Sequence, residues 1–271
     1  LVPQKPRELL IWRWRHFEMD NLKSVLRTVA REVDSAEASD MLIPLGQGSD
    51  IDWDGLVESD SVSAVVERLT GTFYWDAFQP AMARYRREGS LFVLEVRLDL
   101  AYHRRLLEMI EDLAGRDRKE AERFLGTRID SQNVLWAFRY RSYYGLSPEE
   151  VLNYSLHRGV RTDVSTIQKI ARGEALIEVL REVWNGRLPG LERLENISDE
   201  DAIIEARSLF DRYLLGQAQD VRREYAMHLG IVLGYEVLLG TEMHDLITVA
   251  EGKAAHWPAA QIRPYLIATH R

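Results

Sequence analysis

Glu18-Met19-Asp20-Asn21-Leu22, Asp130-Ser131-Gln132-Asn133-Val134 and Glu242-Met243-His244-Asp245-Leu246 share one pattern. Each has an acid, an amide or acid three residues on, then an apolar residue. Asn21, Asn133 and Asp245 are separated by 112 residues at each step. A second block repeats independently: Gly48, Asp52, Leu56, Val65, Val66, Glu67 and Leu69 pair with Gly159, Asp163, Ile167, Leu176, Ile177, Glu178 and Leu180 at an offset of 111. Helical chains match one another easily, so one coincidence means little; two blocks at nearly one period are stronger evidence. A fixed period marks a repeated supersecondary unit. The expectation is three similar units of about 110 residues, related by a pseudo-threefold arrangement, over 1–60, 61–172 and 173–271. The first would lack its beginning, as the Leu1-Val2-Pro3 start fits, and the third would stop soon after its motif.

The units are expected to be helical throughout. From Arg7 to Val33 no proline intervenes, and Leu10, Ile11, Trp14, Leu22, Val25, Leu26 and Val29 recur at helical spacing among charges. Leu91 to Leu113, Gln132 to Tyr144, Ala202 to Ala218 and Tyr225 to Ala250 read the same way. Breaks are short: Ile43-Pro44-Leu45-Gly46, Gly145-Leu146-Ser147-Pro148, Gly186 to Gly190, and His256-Trp257-Pro258. Ser147-Pro148-Glu149-Glu150 is a helix start, with a capping hydroxyl, proline in the first turn and acids at the positive end of the dipole. Strand-like alternation is scarce. The fold class is all-α.

Composition narrows the functions. The 271 residues allow one to three domains and a core that needs no staples. There is no cysteine, which removes disulfides, thiolate metal sites and cysteine nucleophiles. Lys and Arg number 35 against 43 Asp and Glu, a net −8, which argues against a general phosphate-backbone binder. No uncharged stretch approaches the ~18 residues of a bilayer span.

Standard sites fail one by one. No two histidines stand three or four apart, so no His-Glu-x-x-His zinc helix exists. Gly252-Lys253 lacks the rest of a phosphate loop, and Gly46-Gln47-Gly48 lacks the third glycine of a dinucleotide fingerprint. Asp50, Asp52 and Asp54 before Gly55 resemble half a calcium loop, but the twelfth position is Ser61, not Glu. An acidic surface turn accounts for them better. Arg13-Trp14-Arg15-His16, Arg84-Tyr85-Arg86-Arg87 and Arg139-Tyr140-Arg141 mix base and aromatic as nucleic-acid surfaces do. Adjacent helical residues point about 100° apart, so these runs need not form a patch. No catalytic, cofactor-binding or metal-binding residue is assigned. The marked positions are Glu18, Asn21, Asp130, Asn133, Glu242 and Asp245. Each pair shares a helix face, as either a catalytic dyad or a polar lock to a neighbouring segment. Threefold repetition favours the lock, because a scaffold repeats itself and an active site does not.

With these residues in view, the chain resembles the C subunits of archaeal and bacterial V/A-type ATPases, whose eukaryotic counterpart is the d subunit. Tyr235 to Leu266 is similar to the family's C-terminal signature through Gly230-Ile231-Val232-Leu233, Tyr235, Glu242, Leu246, Gly252-Lys253 and Ile262-Arg263-x-Tyr265-Leu266. Leu98-Asp99-x-x-Tyr102, Asp130-x-x-Asn133 through Arg139, and Tyr144-Gly145-Leu146-Ser147-Pro148-Glu149-Glu150 resemble its middle. Asn21-Leu22, Leu26-Arg27 and Ile43-Pro44-x-Gly46 resemble its first part. The family usually has Lys-Glu where this chain has Leu239-Gly240, Asn where it has Asp245, and Arg where it has Ile247.

The resemblance implies a non-catalytic, funnel-shaped body of three helical domains, without cofactor, on the rotor. Its partners would be the shaft subunits of the ATP-driven head and the membrane proteolipid ring, with no nucleic acid and no small-molecule substrate. It would lie peripherally on the cytoplasmic face and transmit torque for ATP-coupled ion transport. A helical-repeat adaptor with another partner is the alternative, since such repeats build concave binding surfaces.

Overall fold

A computed structural model describes residues 3–224 and 228–268. Among them there are helices and turns and no strand, only one isolated bridge between Arg158 and Asp163. The stretch read as one helix from Arg7 is two: α1 (Gln4–Trp14) and α2 (His16–Ala30). They meet at Arg15, where ψ is −7° and the N–H reaches both Ile11 O and Trp12 O. Trp12 anchors the bend, donating from its indole to Tyr102 O at 3.3 Å and stacking on that ring. After α2 come α3 (Ser35–Asp40), α4 (Trp53–Val57), α5 (Val62–Arg68), α6 (Phe73–Glu88) and the long α7 (Phe92–Glu111).

The second run opens with α8 (Gly115–Ala121), passes through a π turn at Glu122–Gly126 and continues as α9 (Thr127–Ser142). The expected start at Gln132 is therefore a helix interior. A Cβ at Gly126 would stand 2.6 Å from Val160 Cγ2, so the widened turn sits where a downstream loop presses on the helix. Then follow α10 (Pro148–Asn153), α11 (Val164–Ala171), α12 (Leu176–Trp184) and α13 (Asp199–Val221). Ser147 and Glu150 close a full capping box on α10. Gly145, at φ +60°, supplies the left-handed residue that the turn before it needs. Last come α14 (Leu229–Ala254), α15 (Ala259–Ile262) and a 3₁₀ turn at Arg263–Tyr265. The helix expected from Tyr225 begins at Leu229; positions 225–227 lie outside the described residues, as does His270.

Two successions match in order. α3, α4, α5 and, after an additional helix α6, α7 follow α2 as α10, α11, α12 and, after a 3₁₀ turn, α13 follow α9. Asp52 caps α4, accepting from Gly55 N–H at 3.1 Å, and Asp163 caps α11, accepting from Thr166 N–H at 3.0 Å. Leu56 and Ile167, Val65 and Leu176, and Leu69 and Leu180 are all buried.

The chain divides into two compact units, Leu1–Met109 and Ile110–Arg271. The first is centred on Leu9, Leu22, Leu26, Leu56, Phe78 and Leu98. In the second, Phe124, Val134, Phe138, Ile167, Leu180 and Trp184 are fully buried. Each such side chain contributes on the order of 1.5–3 kcal/mol by leaving water.

Candidate functional site

Asn21 on α2 donates from Nδ2 to Ile43 O at 2.9 Å and accepts from Ile43 N–H at Oδ1 at 2.8 Å. Asn133 on α9 does the same with Leu156, at 2.9 and 2.7 Å. An amide is the side chain that can do this, because it carries a donor and an acceptor side by side as a backbone unit does. Both grip a residue 22 or 23 positions downstream and pin the chain leaving the short helix α3 or α10. Asp245 on α14 takes the corresponding place in the third motif. Lacking a donor, it accepts twice, from Ile267 N–H at 2.8 Å and Ala268 N–H at 3.0 Å.

The acids lie three residues earlier, on the same faces. Asp130 is fully buried and accepts from the N–H groups of Val160, Arg161 and Thr162 at 3.0, 2.8 and 3.2 Å, and from Thr162 Oγ1 at 2.8 Å. Burial raises its pKa, while the bonds from Thr162 and Arg161 work in the other direction. The turn it holds is so close that a Cβ at Gly159 would run into Asp130 Oδ1. Glu18 is also buried; it accepts from Ser49 Oγ at 2.6 Å and from the Tyr74 hydroxyl. Desolvation first, then the bond to Glu18, raises the Tyr74 pKa. Glu242 differs: it is exposed, with no bond to any described residue.

The later member of each pair thus meets backbone; of the acids only Asp130 does, while Glu18 meets two hydroxyls and Glu242 no described residue. Among the described residues, the two filled pairs bond backbone groups and the hydroxyls of Ser49, Tyr74 and Thr162. In the half calcium loop Asp52 caps α4, and the would-be twelfth position, Ser61, caps α5. The basic–aromatic runs are engaged locally. Arg15 lies over the Trp12 ring, Arg84 pairs with Glu88, and Arg141 stacks on Phe138 while donating to Ile170 O and Glu174 O.

One cluster was not legible in the sequence. Glu120 and, over a hundred residues on, Glu224 and His228, which stand four apart, place a ligand atom each within 4.8 Å of one another. Glu120 Oε2 and His228 Nε2 are buried without a hydrogen-bond partner among the described residues, and charged groups surround them. His228 Nδ1 accepts from Gly230 N–H at 3.2 Å, which puts the ring proton on Nε2, the atom facing Glu224 at 3.2 Å. Arg116 pairs with Glu224, and Arg123 stands 3.5 Å from Glu120 Oε2, supplying the positive charge a cation would bring.

No helix of the described residues is long and apolar enough to cross a membrane. A family model described as ATP synthase (C/AC39) subunit matches residues 1–265. Among relatives, the C subunit of the A-type ATP synthase of Halorubrum lacusprofundi is 28% identical over 259 residues, 94% of this chain and 72% of its own length. That of Methanosphaera stadtmanae is 22% identical over 263 residues, 96% and 67% of the two chains. That of Methanobrevibacter smithii is 23% identical over 270 residues, 98% and 70%. With its helical fold and the match running almost end to end, this chain belongs to the ATP synthase (C/AC39) subunit family.

Proposed function

We propose that this chain is a non-catalytic central-stalk component of a V/A-type ATPase or ATP synthase, joining the rotor shaft to the membrane proteolipid ring and passing torque between them. The observation that carries the reading is the family match over residues 1–265, with relatives named as the C subunits of A-type ATP synthases. Its place would be peripheral, on the cytoplasmic face. The three units over 1–60, 61–172 and 173–271, in a pseudo-threefold, funnel-like arrangement, belong to the same proposal. Support comes from the three motif positions, each of which holds backbone 22 or 23 residues on.

The physics suits the role. A torque coupler must not shear within itself, and buried side chains that bond the backbone of the next segment resist sliding in a way apolar contacts alone do not. The net −8 suits docking onto basic surfaces of a shaft or ring, with complementarity setting orientation and rate more than raw affinity. A repeat adaptor for other partners is separated by a pull-down of the full-length protein against purified shaft subunits and the proteolipid ring, at low and high salt. Binding to both that weakens as the Debye length shortens from about 10 Å toward 3 Å is the expected result. Binding to neither leaves only the adaptor.

A further inference from the structure

The negative charge of this chain is gathered in one stretch. From Glu32 to Glu67, 36 residues hold ten Asp and Glu and no Lys, Arg or His; the other 235 carry 35 Lys and Arg against 33 Asp and Glu. The stretch builds α3, α4 and most of α5, and all ten acids are exposed. Local structure accounts for only some of them. Asp34 and Asp52 cap α3 and α4, accepting from Ala36 N–H at 3.0 Å and Gly55 N–H at 3.1 Å. Asp40, Asp50, Glu58 and Asp60 cap none of these helices, and like charges gathered so densely oppose compaction.

The fold does not require this charge. The corresponding stretch of the second unit, 144–179 at the 112-residue offset, makes α10, α11 and the start of α12 with five acids against four Lys and Arg. Several of those are paired: Arg158 with Glu111, Lys169 with Glu182, and Glu178 with Arg181. Apolar cover differs as well. Ile43 and Leu156, the residues gripped by Asn21 and Asn133, are 39% and 1% exposed. Met41 and Tyr154, two positions earlier, are 52% and 3% exposed. Two bare apolar side chains alone are ordinary on a surface. Bare where their counterparts are covered, and set among acids the fold does not need, they mark a contact.

We propose that the α3–α4 face bearing Met41 and Ile43 is a docking surface for a basic helical segment of a shaft subunit of the ATPase, an inference that rests on the rotor reading above. The segment would lay apolar side chains on Met41 and Ile43 and set Lys or Arg side chains against the acids, whose sign selects the partner and orients it. Charge also favours the shaft over the ring. The ring lies among lipids whose anionic headgroups give the cytoplasmic leaflet a negative surface potential, and that potential repels a face of this sign.

The test measures the affinity of the full-length protein for purified shaft subunits and, separately, for the proteolipid ring in uncharged detergent. The parent is compared with a variant carrying Asp40→Asn, Asp50→Asn, Glu58→Gln and Asp60→Asn, and with Met41→Ser; all five positions are exposed, so both variants should fold. The expected result is a shaft Kd raised roughly tenfold or more by the four neutral substitutions at low salt, with ring binding unchanged. That gap should narrow in about 1 M salt, where charges are screened beyond about 3 Å. Met41→Ser should weaken shaft binding severalfold at both salt concentrations. Full shaft affinity in either variant overturns the docking surface and leaves the rotor reading standing, as does a loss that falls equally on the ring. A parent that binds neither partner overturns both.

Discussion

Asn133 and Asp245 occupy the same motif position and solve one problem differently, and substitution should tell them apart. Asn133→Asp removes the donor to Leu156 O and sets a carboxylate against a buried carbonyl. It is expected to cost about 2–4 kcal/mol, the scale of a buried polar group left unpaired with charge added. Asp245→Asn keeps an acceptor for Ile267 at a half-buried site and should change stability by under about 1 kcal/mol. Chemical denaturation of both variants checks the contrast. Tyr74 gives the chain a pH dependence of known sign. Its pKa is raised above the ordinary 10.0. The native state therefore keeps a proton that the unfolded chain releases. Its contribution is present in full below pH 10 and is lost as pH rises beyond it. Tyr74→Phe should cost about 1 kcal/mol at neutral pH by removing the bond to Glu18, and should flatten the decline between pH 9 and 11 in urea titrations. At this scale the motif residues were legible because they repeat. Their partners were not, because the spacing names a helix face and says nothing of which loop backbone will arrive there.

Helices follow a similar division between what pattern decides and what packing decides. The long ones were legible: α7, α13 and α14 carry enough turns for the periodicity to stand out. The start of α9, five residues before the expected one, was hidden because the π turn is set by a loop pressing at Gly126, a contact made only in the folded chain. Short α4 and α11 were equally hidden: Asp52, which starts α4, read as part of an acidic turn or half a metal loop, and Asp163, which starts α11, only as its repeat partner. Gly159→Ala drives a methyl into the Asp130 carboxylate and should destabilise by about 2 kcal/mol or more, as overpacking against a bonded group does. Ser147→Ala removes one arm of the α10 capping box and should cost about 1 kcal/mol. Thermal melts of the two variants, compared with the parent, measure both.

For the whole molecule, fold class and family could be read from period, composition and a set of individually weak motifs, because many weak matches in a fixed order are specific together. The charge cluster of Glu120, Glu224 and His228 could not, since no local spacing connects Glu120 to the other two, over a hundred residues on. The proposed role is mechanical: the chain would couple ATP turnover in the head to ion movement in the membrane without itself reacting. Liposomes carrying the reconstituted ATPase, with and without the full-length protein, put that coupling to the test when ATP hydrolysis and ion uptake are followed together. A torque coupler predicts that omission leaves hydrolysis running while ion uptake is lost, and that adding the protein back restores uptake. Ion uptake that proceeds at the same rate per ATP without it would contradict the role.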